Sequence, residues 1–312
     1  MPPLPALLQR RVPSRVVAPV ALVNAVANGL IVVTGGAVRL TDSGLGCPTW
    51  PRCTGDSLVP TRQLGVYGVI EFSNRMLTFV LTVAAVATLV AVFRSARRDL
   101  RVLAGISFLG IPAQALLGGV TVLTKLNPWA VAAHFLLSSA LVAVATTLWL
   151  RSRETGVGQL LVRPPVLGLV RGVAAATAAV LVVGTVVTGS GPHAGDAHSA
   201  RTGLDPEQVA QLHADLVFLL VGLTAALLVT LRATGAPARV SRAARDLLLV
   251  ELAQGVVGFA QYFTHLPVAL VLLHVLGAVL VTAAATRLVW SVRGPASDLP
   301  LESADLPAAA LG

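Results

Sequence analysis

Eight long apolar runs decide what this chain of 312 residues can fold into. Each run has about 20 mainly apolar residues, the length that an α-helix needs to cross the hydrocarbon core of a bilayer. The runs are continuous rather than alternating, so a transmembrane β-barrel is excluded. We predict an all-α polytopic membrane protein with eight transmembrane helices. The runs cover residues 17–38, 67–93, 102–122, 128–150, 167–189, 209–231, 245–263 and 267–290.

The composition excludes the other broad classes of protein. Only 12% of the residues are charged and 55% are hydrophobic, whereas a soluble domain has about 25% charged residues. A soluble enzyme and a disordered chain are therefore excluded. The net charge of +9 does not indicate a nucleic-acid partner, because the basic residues lie in short loops between the apolar runs, as topology signals do.

The Lys and Arg residues are unevenly distributed between the two sets of loops. Of the 23, 17 flank ends that share one side of the membrane, five flank the other side, and Arg75 lies inside the second run. Because basic loops stay in the cytoplasm, we predict that both termini are cytoplasmic. The long loops 39–66 and 190–208 are then extracytoplasmic. Residues 295–312 are predicted to form a disordered cytoplasmic tail.

The two halves of the chain resemble each other. The motif VTGG at Val33–Gly36 returns as VTGS at Val187–Ser190, 154 residues later, and several single residues return 139 or 140 residues later. The matching residues are Gln114 and Gln254, Gly118 and Gly258, Leu126 and Leu266, His134 and His274, and, at the smaller offset, Asn74 and His213. We predict two duplicated four-helix bundles, in residues 1–150 and 151–294, related by an axis along the membrane normal.

Three histidines lie inside apolar runs, where an ionisable side chain costs several kcal/mol and indicates a function. His134, His213 and His274 are within about two turns of the extracytoplasmic ends of their runs. His213 and His274 both belong to the second half, so their side chains are expected at one depth. Two opposed imidazoles are a common way to hold a six-coordinate haem iron. Structural hydrogen bonds and a proton relay are the alternative roles.

The first half differs from the second at one of these positions. His134 repeats His274, but Asn74 stands where the second half has His213, and an asparagine is a poor iron ligand. By helical spacing, Glu71 and Arg75 share one side of the helix with Asn74. Such a pair serves either as a structural ion pair or in chemistry. Because the second half lacks both charges, we interpret it as a holder of a redox cofactor and the first half as the place of reaction.

The long first loop contains both cysteines of the chain. Cys47 and Cys53 lie six residues apart in the Pro-rich sequence SGLGCPTWPRCTG. A disulfide bond is permitted by this spacing and by an oxidising compartment. Zinc is disfavoured, because two thiols without a nearby histidine are too few ligands. A structural bond and a redox-active bond both remain open.

Two motifs resemble those of the haem A synthase family. They are GGAVRLTDSGLGCPTWPRC at Gly35–Cys53 and IEFSNRMLT at Ile70–Thr78, and the later histidines stand at the family's positions. The resemblance extends over all eight runs and is closest to an actinobacterial type of the family. It implies a haem-dependent oxidoreductase of the bacterial cell membrane, which oxidises the methyl group of haem O to the formyl group of haem A for cytochrome c oxidase assembly.

The resemblance also implies which residues bind haem. His213 and His274 are expected to hold the iron of a haem b cofactor. The substrate haem is expected near His134, with Asn74 and Arg75 beside it. The family commonly has a histidine where this chain has Asn74. Because an asparagine is a poor iron ligand, His134 is expected to be the only protein ligand of the substrate iron.

Two further expectations come from the same resemblance. Glu71 is expected to be the catalytic carboxylate, kept ionised by Arg75. Cys47 and Cys53 are expected to form a disulfide bond. The implied partners are haem O as substrate, haem O synthase as its donor, cytochrome oxidase assembly factors and membrane lipid; a homo-oligomer is compatible with all of them.

Two other functions fit parts of the sequence. A non-catalytic b-type cytochrome, transferring electrons between quinol and a partner, accounts for His213 and His274 but not for Glu71 or the cysteine loop. A transporter with duplicated halves accounts for the repeat, but its polar residues are expected near the midplane of the membrane.

Overall fold

The computed structural model describes residues 13–154 and 158–295. These residues form eight long α-helices, close to the predicted bounds, and one short antiparallel pair of strands. The helices are α1 (Ser14–Leu40), α2 (Gly65–Arg94), α3 (Arg101–Leu123), α4 (Pro128–Ser152), α5 (Pro164–Ser190), α6 (Pro206–Ala233), α7 (Ala238–Phe263) and α8 (Val268–Ser291), and the strands are β1 (Gln159–Leu160) and β2 (Arg293–Gly294). The predicted tail lies, apart from residue 295, outside the described residues.

Seven of these helices are long and apolar enough to cross a membrane. The exception is α7, which has the length but also contains charged and amide side chains, among them Asp246, Glu251, Gln254 and Gln261. Helix α7 nevertheless packs against α6 and α8 over its length. The chain is therefore a multi-pass helical membrane protein.

Helices α4 and α6 begin at well-defined caps. The Asn127 side chain accepts hydrogen bonds from the first free amides of α4, at 3.0 and 3.4 Å, and Pro128 follows it. Asp205 caps α6 in the same way, followed by Pro206. Proline suits the first helical position, because the amide it lacks has no partner there. These caps set where each helix starts, and so the depth of the side chains that follow.

Each half forms a closed ring of four helices. In the first half α1 contacts α2 and α4, and α3 contacts the same two helices; α5 to α8 repeat this arrangement. The halves meet where α4 contacts α8, α1 contacts α8, and α5 contacts α4. Exchanging the halves converts the α1–α8 contact into the α5–α4 contact and returns α4–α8 to itself. The duplicated bundles are therefore related by an approximate two-fold axis, as the repeat predicts.

The turns between the last two helices of each half are also equivalent. Lys125 and Leu126 have φ values of 51° and 58°, and His265 and Leu266 have 62° and 58°. Non-glycine residues seldom adopt positive φ. The same uncommon backbone thus recurs at positions 140 residues apart, at the same place in each half.

The two halves are joined again at the end of the bundle where α4, α6 and α8 begin, which we call the histidine end. There the Arg39 guanidinium donates hydrogen bonds to the carbonyls of His193, at 2.6 Å, and Thr188, at 2.8 Å. The amide of Gly44 donates to the carbonyl of Gly195 at 2.8 Å. The long first loop is therefore attached to the second half as well as to the first.

Close packing between α3 and α4 leads to a prediction for stability. A Cβ added at Gly110 would overlap the side chain of Leu141, which is buried. We expect Gly110→Ala to destabilise the protein by about 1–3 kcal/mol, because Leu141 has little room to move. Gly105→Ala, on the same helix with nothing within 4 Å of the added Cβ, is the control. Thermal unfolding in detergent measures both, and equal midpoints would contradict the packing.

Candidate functional site

The three histidines predicted inside apolar runs are half-buried and lie at equivalent depths near the histidine end. His134 and His274 are six residues beyond the first residues of α4 and α8, and His213 is seven residues beyond Pro206 of α6. At 1.5 Å per residue, each lies about 9–10 Å inside its helix. The structure therefore brings the predicted histidines to one layer of the bundle.

A glycine on a neighbouring helix makes room for each imidazole. A Cβ added at Gly118 would lie 3.1 Å from Cε1 of His134, and one at Gly258 would lie 3.4 Å from Cε1 of His274. In the same way, a Cβ added at Gly184 would lie 3.0 Å from Cε1 of His213. A glycine inside a helix weakens that helix, so its presence beside each histidine indicates that space for the ring matters here.

His213 and His274 face each other inside the second half. Their ring centroids are 6.4 Å apart, and the ring planes meet at 68°. Two imidazoles that ligate one metal ion from opposite sides place their centroids about 6.3 Å apart, because each metal–nitrogen bond is about 2.0 Å long. The Nδ1 atom of His274 is buried without a hydrogen-bond partner in the described part of the chain, and the His213 ring lies within hydrogen-bonding reach of the Val180 backbone. The separation of the two rings therefore fits a pair of imidazoles that hold one metal ion between them, as in a bis-histidine haem site.

A repeated hydrogen bond holds the backbone of two of these histidines. The Gln114 amide donates to the carbonyl of His134 at 2.8 Å, and the Gln254 amide donates to the carbonyl of His274 at 2.7 Å. The Nδ1 atom of His134, like that of His274, is buried and unpartnered among the described residues. His134 in the first half and His274 in the second half are thus held by the same backbone hydrogen bond from a glutamine.

Asn74 occupies the position in α2 that His213 occupies in α6. Its side-chain oxygen is 2.7 Å from the Thr34 hydroxyl of α1, which donates to it. Because the carbonyl oxygen is held in this way, the amide nitrogen points away from Thr34. This nitrogen is near Gly35, where a Cβ added to the glycine would lie 3.9 Å from it. This arrangement offers a hydrogen-bond donor where the second half offers an imidazole.

The Glu71 carboxylate is buried and fully occupied by hydrogen bonds. Only 6% of the residue is exposed. Its Oε2 atom accepts from the amide of Cys47 at 2.5 Å, and its Oε1 atom accepts from the Arg75 guanidinium at 2.5 Å. The predicted ion pair is present, and it is also the anchor of the cysteine loop.

Arg75 extends this anchor to three carbonyl groups of the loop. Its guanidinium donates to Cys47 at 3.1 Å, to Thr49 at 3.1 and 3.2 Å, and to Arg52 at 3.4 Å. Only the planar, five-donor group of an arginine reaches so many acceptors at once. Sequence reasoning found the charge pair but missed its carbonyl partners, because no pattern in a loop sequence shows where its backbone oxygens point.

The cysteine loop closes over the histidine end of the first half. Cys47 and Cys53 form a disulfide bond, with 4.4 Å between their Cα atoms, and both residues are buried. The Trp50 ring occupies the space where a Cβ of Gly119 would be, at 2.5 Å. Because Gly119 adjoins Gly118, which packs on His134, the loop covers the helix next to that histidine.

Two groups of buried polar residues were missed by sequence reasoning. In the first half, the Asn24 amide donates to the Ser107 hydroxyl at 2.9 Å, and Asn28 donates to the carbonyl of Asn24 at 2.8 Å. In the second half, the Thr224 hydroxyl donates to Glu251 at 3.0 Å. The signal available in the sequence was a polar residue inside an apolar run. Asn24 and Asn28 are one turn apart in the first run, and Glu251 is a carboxylate in the middle of the seventh.

These features define a class of protein: a duplicated eight-helix membrane protein with half-buried histidines at one end and a disulfide-bonded loop over the first half. The sequence profile of the cytochrome oxidase assembly protein family matches residues 18–286 of the chain. The chain therefore belongs to that family.

Curated relatives match part of the chain. The Heme A synthase of Exiguobacterium sibiricum is 35% identical over 127 residues, which are 38% of this chain and 41% of the relative. That of Halalkalibacterium halodurans is 30% identical over 164 residues, 51% of this chain and 54% of the relative. That of Bacillus pumilus is 36% identical over 126 residues, 39% of each chain. The chain thus spans about two fifths to one half of the length of these relatives.

The anchor formed by Arg75 can be tested by hydrogen exchange. Lysine keeps the positive charge but loses the planar group that reaches several carbonyls. We expect Arg75→Lys to accelerate amide exchange in loop residues 41–61, as followed by mass spectrometry. The control is Arg52→Lys in the same loop, where the guanidinium contacts the carbonyl of Gly55 at 3.2 Å. Equal exchange in the two variants would refute the anchoring role.

Proposed function

We propose that the protein is a haem A synthase, which oxidises the methyl group of haem O to the formyl group of haem A. The observation that supports this most is the 6.4 Å separation of the His213 and His274 rings, together with a different set of residues at the equivalent place in the first half. Membership of the family is consistent with the same activity.

In this proposal the second half, residues 151–294, holds haem b. His213 and His274 bind its iron, and Gly184 and Gly258 leave space for the two rings. When bound, the haem accepts electrons and passes them on. Gln254 fixes the backbone of His274, so the imidazole is held in place before the haem arrives.

The first half, residues 1–150, receives haem O as substrate. His134 would ligate its iron. At the position that corresponds to His213, Asn74 offers an amide rather than an imidazole, oriented by Thr34. A substrate iron with one protein ligand keeps a position free for chemistry, whereas an iron held by two histidines does not.

Glu71 acts on the charge that develops during the reaction. Oxidation of a methyl group to a formyl group with oxygen from water releases electrons and protons in equal number, and it passes through electron-poor carbon. Both Glu71 oxygens already accept hydrogen bonds, which favours a fixed negative charge over a free base. Such a charge counts for more in a water-poor site than in bulk. Arg75 orients the carboxylate and joins it to the loop.

The orientation follows from the basic residues. We propose that the end opposite the histidine end, where 17 of the 23 Lys and Arg residues lie by sequence, faces the cytoplasm together with both termini. The disulfide-bonded loop is then extracytoplasmic, where cysteines become oxidised. Haem O synthase is the proposed donor of the substrate, and cytochrome oxidase assembly factors are the proposed recipients of the product.

The haem b ligands can be tested by spectroscopy. His213→Ala and His274→Ala should each convert the low-spin haem to a high-spin form or abolish its binding, because each removes one axial ligand. His198→Ala, an exposed loop residue, is the control and should bind haem normally. Visible and electron paramagnetic resonance spectra measure the outcome. Wild-type spectra in both ligand variants would rule out this ligand assignment.

The roles of Glu71 and Asn74 can be tested by extracting the haems. Glu71→Gln should leave the haem b spectrum intact while haem O accumulates and haem A falls at least tenfold, because the fixed charge is lost. Asn74→His should shift the spectrum of the haem O-loaded protein toward low spin, and Asn74→Gln should not. Normal haem A yield from Glu71→Gln, or an unchanged spectrum in Asn74→His, would overturn the respective role. Glu207→Gln, an exposed carboxylate, is the control.

A further inference from the structure

A second buried carboxylate lies in the half that contains His213 and His274. Glu251 of α7 is 3% exposed. Its Oε1 atom accepts a hydrogen bond from the Thr224 hydroxyl of α6 at 3.0 Å, and Thr224 is fully buried. The Oε2 atom is buried and has no hydrogen-bond partner among the described residues. A buried carboxyl oxygen without a partner is costly, so its presence needs an explanation beyond packing.

The first half provides the internal comparison. At offsets of 140 and 139 residues, Glu251 corresponds to Ile111 and Thr224 to Ala85. Ile111 and Ala85 are both buried in one apolar cluster with Leu81. At these two positions the first half therefore closes with apolar side chains. Helix packing does not require Glu251, and the carboxyl serves something that only the second half does.

Glu251 is linked to the layer of the paired histidines through one residue. Gln254 follows it on the same side of α7, less than one turn further on. The Gln254 amide donates to the carbonyl of His274 at 2.7 Å. Along α6, Thr224 is 11 residues from His213, about 16 Å at 1.5 Å per residue. The carboxyl is close enough to feel a charge in the histidine layer through a medium with little water.

No other titratable group of the described helices packed on α7 lies at the depth of Glu251 in the bundle. On α6 the titratable residues are Glu207, His213, Asp215 and Arg232, all nearer the helix ends, and on α8 they are His274 and Arg287. On α7 itself, Arg239, Arg242, Arg245 and Asp246 lie toward its start. Asp246 is occupied by Arg287 at 2.7 Å and by Arg245 at 3.2 Å.

We propose that Glu251 takes up the proton that balances the electron arriving in the second half. This rests on the proposed function, in which His213 and His274 hold haem b. When the ferric haem gains one electron from the oxidation of the substrate, Oε2 of the Glu251 carboxylate gains one proton from water and a new O–H bond forms. When the electron leaves, the O–H bond breaks and the proton is released. Thr224 orients the carboxyl by its bond to Oε1, so that Oε2 is the oxygen that is protonated.

The test is a redox titration of purified, haem-loaded protein at several pH values, with dithionite and mediators. In the wild type the midpoint potential of haem b should fall as pH rises, because reduction binds a proton. Glu251→Gln should lose most of this slope and keep the bis-histidine spectrum. Glu207→Gln, an exposed carboxylate on α6, should keep the slope. An unchanged slope in Glu251→Gln would overturn the proposal.

Infrared difference spectra provide a readout that does not depend on a stable glutamine variant. Reduction of the wild-type protein should produce a carboxyl C=O band that shifts in D2O, and Glu251→Asp or Thr224→Val should move that band. A reduced-minus-oxidised spectrum without such a band would refute the proton uptake. Absence of bis-histidine haem b from the wild-type protein would overturn the proposed function itself, and so separates the two failures.

Discussion

An apolar helix bundle in a bilayer offers no water to a polar side chain, and this constraint governs every functional residue of the protein. A buried polar group must find a partner in the chain or be kept for a ligand. Asn24 and Glu71 have partners in the chain. His134 and His274 each keep a ring nitrogen without a partner among the described residues. The same rule therefore separates the residues that hold the fold together from those available to a ligand.

The duplication makes this separation visible, because each half is the control of the other. Both halves share the ring of helices, the glutamine bond to a histidine carbonyl and the strained turn before the histidine helix. They differ in which layers are polar. The first half places Asn24 and Ser107 in contact inside the bundle. The second half instead places Glu251 and Thr224 in contact, and Glu251 lies one helical turn beyond the position that corresponds to Ser107. Shared features maintain the fold, and the differences indicate specialised roles.

Much of the fold was predictable from the sequence, because a membrane helix is defined by a local property. The eight runs match the eight helices to within a few residues, except at the start of α7. That helix begins seven residues before the apolar run, because its first residues are partly polar. The repeat predicted which histidines share a layer. The pairing of Glu71 with Arg75 was predictable from their spacing, but its bond to the Cys47 amide was not, since that amide is 24 residues away across an irregular loop. The free Oε2 of Glu251 likewise depends on packing between helices.

On the proposed function, the two halves meet demands that one site cannot meet. An electron carrier needs an iron whose six ligands stay in place, and two histidines complete the four porphyrin nitrogens to six. A substrate iron needs an open position and a fixed charge near the reacting carbon. Replacing one histidine by Asn74 opens the first half, but it also removes a ligand that would help to retain the haem. The loop held by Glu71 and Arg75 compensates for this loss, because it covers the same end of the bundle with a disulfide-bonded lid. The carboxylate that stabilises charge and the anchor that retains the substrate are therefore one group.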